Sequence, residues 1–208
     1  MFTICTDYIE NGKIKEYMDQ LPAIEKKFTK KIGVIYRKFF QCEIQPHIIW
    51  AFTEWVSEKH HNDAAQSIMK TRRDDRFATI KFGPVPYFEI FCEEDKSVKI
   101  GKHSDKYKFI IAAHVVISDK VKEKYLKLRK ERVKELKSKI PWLSVYHNTY
   151  NPSEFVAFLG FRNEKEFKKA RNIGELLLEE YLFTGLRDPL GMSYIAAYNQ
   201  FICKPLLV

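Results

Sequence analysis

The chain has 208 residues, with 36 Lys and Arg against 27 Asp and Glu for a net charge of +9, 45% hydrophobic and 14% aromatic residues, and eight each of Gly and Pro. This composition belongs to globular proteins and excludes a disordered, collagenous or low-complexity chain. The length suits one large domain or two of about 100 residues, and either buries a sizeable core.

Taken in order, the first candidate element is the strand FTICTDYI from Phe2, with no basic region ahead of it to suggest a signal peptide. Ile14, Tyr17, Met18, Leu21, Ile24, Phe28 and Ile32 then trace a helical stripe, with a kink or break expected at Pro22. VIYRKFFQCEI and HIIWAFTEW read as strands around Gln45-Pro46, and Ser57 is well placed to cap the next helix. VPYFEIFCE is a further strand, and EEDKSVKIGKHSDK reads as a link to the apolar strand FIIAAHVVI. That strand is the longest uncharged apolar stretch and falls far short of the roughly 20 residues a spanning helix needs. No membrane partner is therefore expected. Ser118–Ile140 follows as a helix with ten Lys and Arg and four acids, so this one segment carries +6 of the +9. Its apolar stripe is Val121, Tyr125, Leu128, Val133, Leu136 and Ile140, and its basic face is either solvated or a docking surface for nucleic acid or an acidic partner. Strands around Val145-Tyr146 and FVAFLGF, a helix capped by Asn163, and the strand MSYIAAYNQFICK complete the chain.

An internal repeat organises these elements. Lys13-Ile14-Lys15-Glu16 matches Lys120-Val121-Lys122-Glu123, and WAFTEWVSEKHHNDA from Trp50 matches VAFLGFRNEKEFKKA from Val156, at offsets of 107 and 106. The expected organisation is a first ferredoxin-like repeat over 1–95, a linker over 96–107 and a second repeat over 108–208, each βαββαβ. FIIAAHVVI, HIIWAFT and FVAFLGF are apolar at both parities, unlike a sheet with one wet face. The expected fold class is therefore α+β: two antiparallel sheets packed face to face as an intramolecular α+β barrel with an enclosed interior.

The element order resembles the dimeric α+β barrel superfamily, and WAFTEWVSEKHHNDA resembles its antibiotic-biosynthesis-monooxygenase branch. The likeness lies in an aromatic-ended strand followed by a Ser-Glu helix start, here Glu54-Trp55 with Ser57-Glu58, and more loosely Phe161 with Asn163-Glu164. It covers nearly the whole chain, as a tandem fusion of what is usually a homodimer. It implies a barrel that binds a small aromatic or tetrapyrrole-like molecule, sometimes oxygenating it without metal or flavin, or degrading haem. The haem-degrading members use an Asn on the first strand, a helix Trp, and a His some ten residues later. Here Cys5 and Ala112, Ala64 and Ala170, and Asp74 and Glu180 hold those positions. The expected cofactor is accordingly none, with haem as the alternative the resemblance leaves open.

Comparing the two copies nominates the site residues. His61 falls where the second copy has Phe167, and is either a satisfied core imidazole or an acid/base at a cavity edge. His114 interrupts the most apolar strand opposite Asp7 of the first copy, and Arg37 is the counterpart of His147. Such groups buried in apolar sheets need partners. If they point inward they could pair as Asp7 with His114 or Arg37 with Asp7; otherwise they are structural bridges or sit in water. The catalytic candidates are His61, His114 and Tyr36. The ligand-binding candidates are Asp7, Arg37, His147, Trp50, Phe52, Tyr146 and Phe158, although strand aromatics are more commonly core. No metal site is expected, and no Walker loop, HExxH, GxSxG or GxGxxG occurs. The single cysteines Cys5, Cys42, Cys92 and Cys203 read as reduced thiols of a cytoplasmic protein. The expected activity is small-molecule binding with cofactor-independent monooxygenation. The alternatives are a non-catalytic sensing or assembly module and, for a basic chain, an RNA binder, although the RNP aromatic run of that class is missing. Self-association stays open.

Overall fold

A computed structural model describes residues 1–10, 12–29, 33–72, 88–172 and 195–206. The chain order is β1 (Phe2–Tyr8), α1 (Ile14–Thr29), β2 (Val34–Cys42), β3 (Ile48–Trp55), α2 (Glu58–Arg72) and β4 (Phe88–Glu94), then β5 (Phe109–Ile117), α3 (Lys122–Leu136), β6 (Trp142–Asn148), β7 (Glu154–Phe161), α4 (Glu164–Asn172) and β8 (Ile195–Leu206). The βαββαβ order thus occurs twice, and the eight strands hydrogen-bond in the order β1-β3-β2-β8-β5-β7-β6-β4 as a closed antiparallel barrel. Helix α1 runs through Pro22, where a kink or break was the expectation, as one 16-residue helix. No described helix is long and apolar enough to cross a membrane.

The chain divides into two compact units, Met1–Cys92 with Lys204–Val208, and Glu93–Cys203. In the first, β1 pairs with β3 and β4, and β2 with β3. Directly opposed residues share a face, so Cys5, Ala51 and Phe39 form one row and Ile4, Phe52 and Lys38 the next. The first row belongs to a core of Cys5, Ile9, Phe39, Ile49 and Ala51 packed on Tyr17 and Leu21 of α1. Each of its Ile, Leu and Phe side chains contributes roughly 1.5–3 kcal/mol on burial. The opposite face is also buried, with Ile4, Trp50 and Phe40 at 2% exposure or less.

The second unit repeats the scheme. Ile111, Ala113, Val115, Leu143, Val145 and Phe155 pack against Tyr125, Val133 and Leu136 of α3 and Phe167 of α4. The segment expected to be a linker contributes Val98 and Ile100 to this core, and Ile100 bridges Leu143. Helix α3 is shorter than the expected Ser118–Ile140, and its buried row takes in Arg129 where the expected stripe has the half-buried Leu128. Arg129, counted above with the basic face, is fully buried, with its guanidinium 4.2 Å from the Tyr125 ring centre and 4.9 Å from that of Phe155. Its planar, weakly hydrated cation stacks between two rings, which makes such burial tolerable.

Candidate functional site

Sheet parity sorts the nominated residues. In the second unit the helix-facing row is odd-numbered on β5, so the even-numbered Ile110, Ala112, His114 and Val116 face away from α3 and α4. Their row neighbours on β7 and β6 are Gly160, Phe158, Val156 and Glu154, and Trp142, Ser144 and Tyr146. This helix-averted face therefore carries His114 at one end, an aromatic wall of Tyr146, Phe158 and Trp142, and the small residues Ala112 and Gly160 between. Tyr146 and Phe158 meet edge to face at 6.1 Å, and Phe158 lies parallel to Trp142 at 6.4 Å.

His114 does not stand alone on this face. Its Nε2 donates to Glu154 Oε1 at 2.7 Å, and the other carboxylate oxygen accepts Asn148 Nδ2 at 2.7 Å. Asn148 is in turn oriented by the Tyr150 amide, which donates to its Oδ1 at 2.8 Å. Both partners are largely shielded, at 13% and 12% side-chain exposure. The hydrogen bond from His114, against the opposing effect of burial, holds the Glu154 carboxyl below its ordinary range, helped by Asn148 and Asn151. An ionised Glu154 favours the tautomer with the proton on Nε2. A second polar relay lies further along the unit: Trp142 Nε1 donates to Ser144 Oγ at 3.0 Å, and Ser144 donates to Glu94 Oε1 at 2.9 Å. Lys99 Nζ closes it, donating to Glu94 Oε2 at 2.6 Å.

The first unit places its candidates on two faces. Tyr36, Trp50 and Phe52 lie on the helix-averted face, with Tyr36 edge-on to Phe52 at 6.3 Å and Phe52 stacked on Phe2 at 5.2 Å. Asp7 lies on the other, helix-facing side. It shares the row of Ile49, is 4% exposed, and accepts the Tyr17 hydroxyl of α1 at 3.1 Å. Burial first, then the Asp7 charge, push the Tyr17 phenol well above its usual range. Arg37 shares this helix-facing parity, 4.9 Å over the Phe39 ring. Asp7 is thus bonded to Tyr17, and His114 to Glu154.

His61 sits between the rings of Trp55 and Phe91, both edge to face, with Nε2 3.2 Å from Glu89 and Nδ1 3.1 Å from Asn62 Oδ1. Glu89 and Phe91 oppose Cys5 and Thr3, so this too is the helix-facing side. Of the two readings open for His61, the satisfied core imidazole describes this environment. His147 lies on the helix-facing parity of β6, 4.0 Å from Glu93, in a groove of about 750 Å³ whose lining includes Asp95, Lys122, Leu126 and Phe155. Of the ten nominated residues, the structure thus groups His114, Tyr146 and Phe158 on one face of one unit. Glu154 and Asn148 were missed. Both flank the tight connection between β6 and β7, where polar residues read as turn formers.

His114 Nε2 is engaged by Glu154, and the positions of the haem-degrading pattern hold Cys5, Ala112 and Ala64. Among the described residues no group of three His, Cys, Asp or Glu side chains could hold a metal ion. Asp74 and Glu180 lie outside the described residues.

No family model matches the chain, and no curated protein matches it by sequence. Solved structures do match over nearly full length. An anthrone oxidase-like protein superposes with a TM-score of 0.72 at 6% identity, covering 99% of this chain and 91% of that one. A proposed monooxygenase from Fusobacterium nucleatum gives 0.69 at 11% identity, covering 99% and 92%. Another, from Lactobacillus acidophilus, gives 0.63 at 11% identity, covering 98% and 92%. At such identities the likeness is one of fold, and the fold is that of the dimeric α+β barrel.

Proposed function

We propose that this protein binds an aromatic small molecule and oxygenates it without a metal or organic cofactor, with His114 as the proton acceptor. The observation that carries the reading is the His114–Glu154–Asn148 cluster on the aromatic, helix-averted face of the second unit. A carboxylate-oriented imidazole can deprotonate an acidified C–H or phenol, and the aromatic wall suits a flat, apolar substrate. The reaction class that fits is conversion of a CH2 flanked by aryl rings to C=O. His114 Nδ1 takes a C–H proton, and the resulting carbanion is oxidised by molecular oxygen. One oxygen atom becomes the carbonyl, and the other leaves as water with the two hydrogens of the CH2. Glu154 stabilises the imidazolium formed on the way, and Asn148 keeps Glu154 in place. The anthrone oxidase-like structural neighbour supports tricyclic phenolic substrates as the first class to try. The four buried thiols suit a reducing, cytoplasmic setting. The two βαββαβ halves are read as a tandem fusion of one ancestral unit.

Oxygen uptake by the full chain with an anthrone-type substrate tests this, with the carbonyl product identified by mass. Uptake and product are expected in a 1:1 ratio, with the rate falling about 100-fold or more in His114→Asn, as loss of a general base requires. Binding detected by thermal shift without oxygen uptake would favour a non-catalytic ligand sensor of the same fold. Undiminished turnover in His114→Asn would remove the proposed base.

A further inference from the structure

The excess positive charge is unused by the reading above, and its arrangement in the second unit is not random. Along α3 the residues Lys127, Lys130, Lys134 and Lys137 are exposed, and at about 100° per residue they fall within one flank roughly 80° wide. The flank lies to one side of the buried row of Tyr125, Arg129, Val133 and Leu136, its centre about 125° round the helix from that row. Ten residues at 1.5 Å each make the track about 15 Å long. Glu131 and Glu135, the acids of the same stretch, fall on the adjoining flank, and Glu135 is held by Arg132 at 2.6 Å. Among the described residues no ion pair involves the four lysines of the track.

The track runs into a groove. Lys137 also lines a depression of about 570 Å³ at the C-terminal end of α3, together with Lys139, Arg162 and Lys169 over a floor of Ile140 and Pro141. Its one acid, Glu166, is turned to the start of α4, accepting the Arg162 amide at 2.9 Å, with the Arg162 guanidinium at 3.9 Å. The combined surface presents seven cations to solvent. The exposed large hydrophobics among the described residues are Ile35, Ile44, Val56 and Tyr150, none of them on α3 or in the groove. A single strand is held chiefly by stacking its bases on aromatic side chains, and this surface has no such platform. A duplex turns its phosphates outward, as a line of one negative charge per about 1.7 Å of axis, which a row of flexible ammonium groups can follow.

We propose that the Lys127–Lys137 flank of α3 and the adjoining groove form a docking surface for the phosphate backbone of a nucleic-acid duplex, read without sequence preference. This is independent of the oxygenase reading and survives its failure. The test is fluorescence anisotropy of the full chain with a labelled duplex over a salt series. Binding is expected to weaken log-linearly with salt. Lys130→Glu/Lys134→Glu/Lys137→Glu should lower the slope by about 2.7, at about 0.9 per phosphate released. Lys15→Glu/Lys59→Glu/Lys204→Glu, of equal net charge in the first unit, should leave the slope near that of the unmodified chain. All six positions are exposed, so folding should be retained; if circular dichroism shows otherwise, the same positions changed to Gln serve instead. The proposal is overturned by salt-independent or absent duplex binding, by an equal loss in the first-unit variant, or by tighter binding of a single strand or of poly-glutamate of matched charge.

Discussion

His61 and Phe167 hold aligned positions and do different electrostatic work in the same kind of slot. Phe167 stacks on Phe109 and meets Phe161 edge to face, whereas His61 takes up Trp55 and Phe91 in that manner and adds Glu89 at 3.2 Å. Burial pushes the imidazole pKa down, but the hydrogen bonds to Glu89 and Asn62, with the charges of Glu89 and Glu58, outweigh it and hold the pKa above the ordinary 6.5. Removing the largest of these upward contributions should reverse the sign. In Glu89→Gln the His61 pKa, followed by NMR through its ring protons, is expected to drop below 6.5, because desolvation is then opposed by weaker partners. A pKa unchanged by Glu89→Gln would show that Glu89 does not hold the proton there. Arg129 makes the complementary point about residue type. The buried row runs Tyr125, Arg129, Val133 and Leu136, whereas the apolar pattern of the sequence passes through Leu128, because the burial of a guanidinium depends on two rings, one from a distant strand.

At the scale of elements, both periodicities were readable. Strand β5 and the passage from β3 into α2 stand where their patterns put them, because period-2 and period-3.6 burial leave distinct traces. Which face of a strand meets the helices was not readable. With both parities apolar, nothing in FTICTDYI or FIIAAHVVI distinguishes the row of Asp7 from that of His114, and only the packing of Tyr17 on Asp7 decides it. Glu154 was hidden for a related reason: it reaches His114 across 40 residues of chain. Strand β7 also carries a constraint that composition cannot reveal. Gly160 has no positive φ, yet a Cβ there would lie 2.5 Å from Trp142 Cε3 and 2.9 Å from Tyr107 Cγ, the two rings stacked at 5.7 Å. Gly160→Ala should therefore destabilise the chain by about 1–3 kcal/mol through overpacking, rather than giving the roughly 0.5–1 kcal/mol gain expected of Ala in an open strand. Urea denaturation measures the difference, and a neutral or stabilising result would mean the Tyr107–Trp142 stack yields easily.

For the whole molecule, the two shifted acid–base pairs shape stability in opposite directions. Glu154 titrates below its ordinary 4.5 in the folded chain, so its contribution is present above that value and is lost as pH falls through the lower folded pKa. His61 titrates above 6.5 when folded, so its contribution is complete below 6.5 and is lost as pH rises through the higher folded pKa. Both act together only between these ordinary values, and folding stability from these two sites should therefore be greatest on a plateau in the mildly acidic range. Glu154→Gln removes the charge and leaves one acceptor oxygen, so it can serve His114 Nε2–H or Asn148 Nδ2 but not both. It should lower stability on the plateau and flatten the acid limb, with its curve meeting that of the unmodified chain once Glu154 is protonated. Glu89→Gln should flatten the alkaline limb alone. Urea midpoints collected across this pH range separate the two limbs, since the groups sit in different units and their effects should add. An acid limb equally steep with and without the Glu154 carboxylate would show that the His114–Glu154 pair is not formed with Glu154 ionised, and would take away the tautomer on which His114 depends to accept a proton at Nδ1.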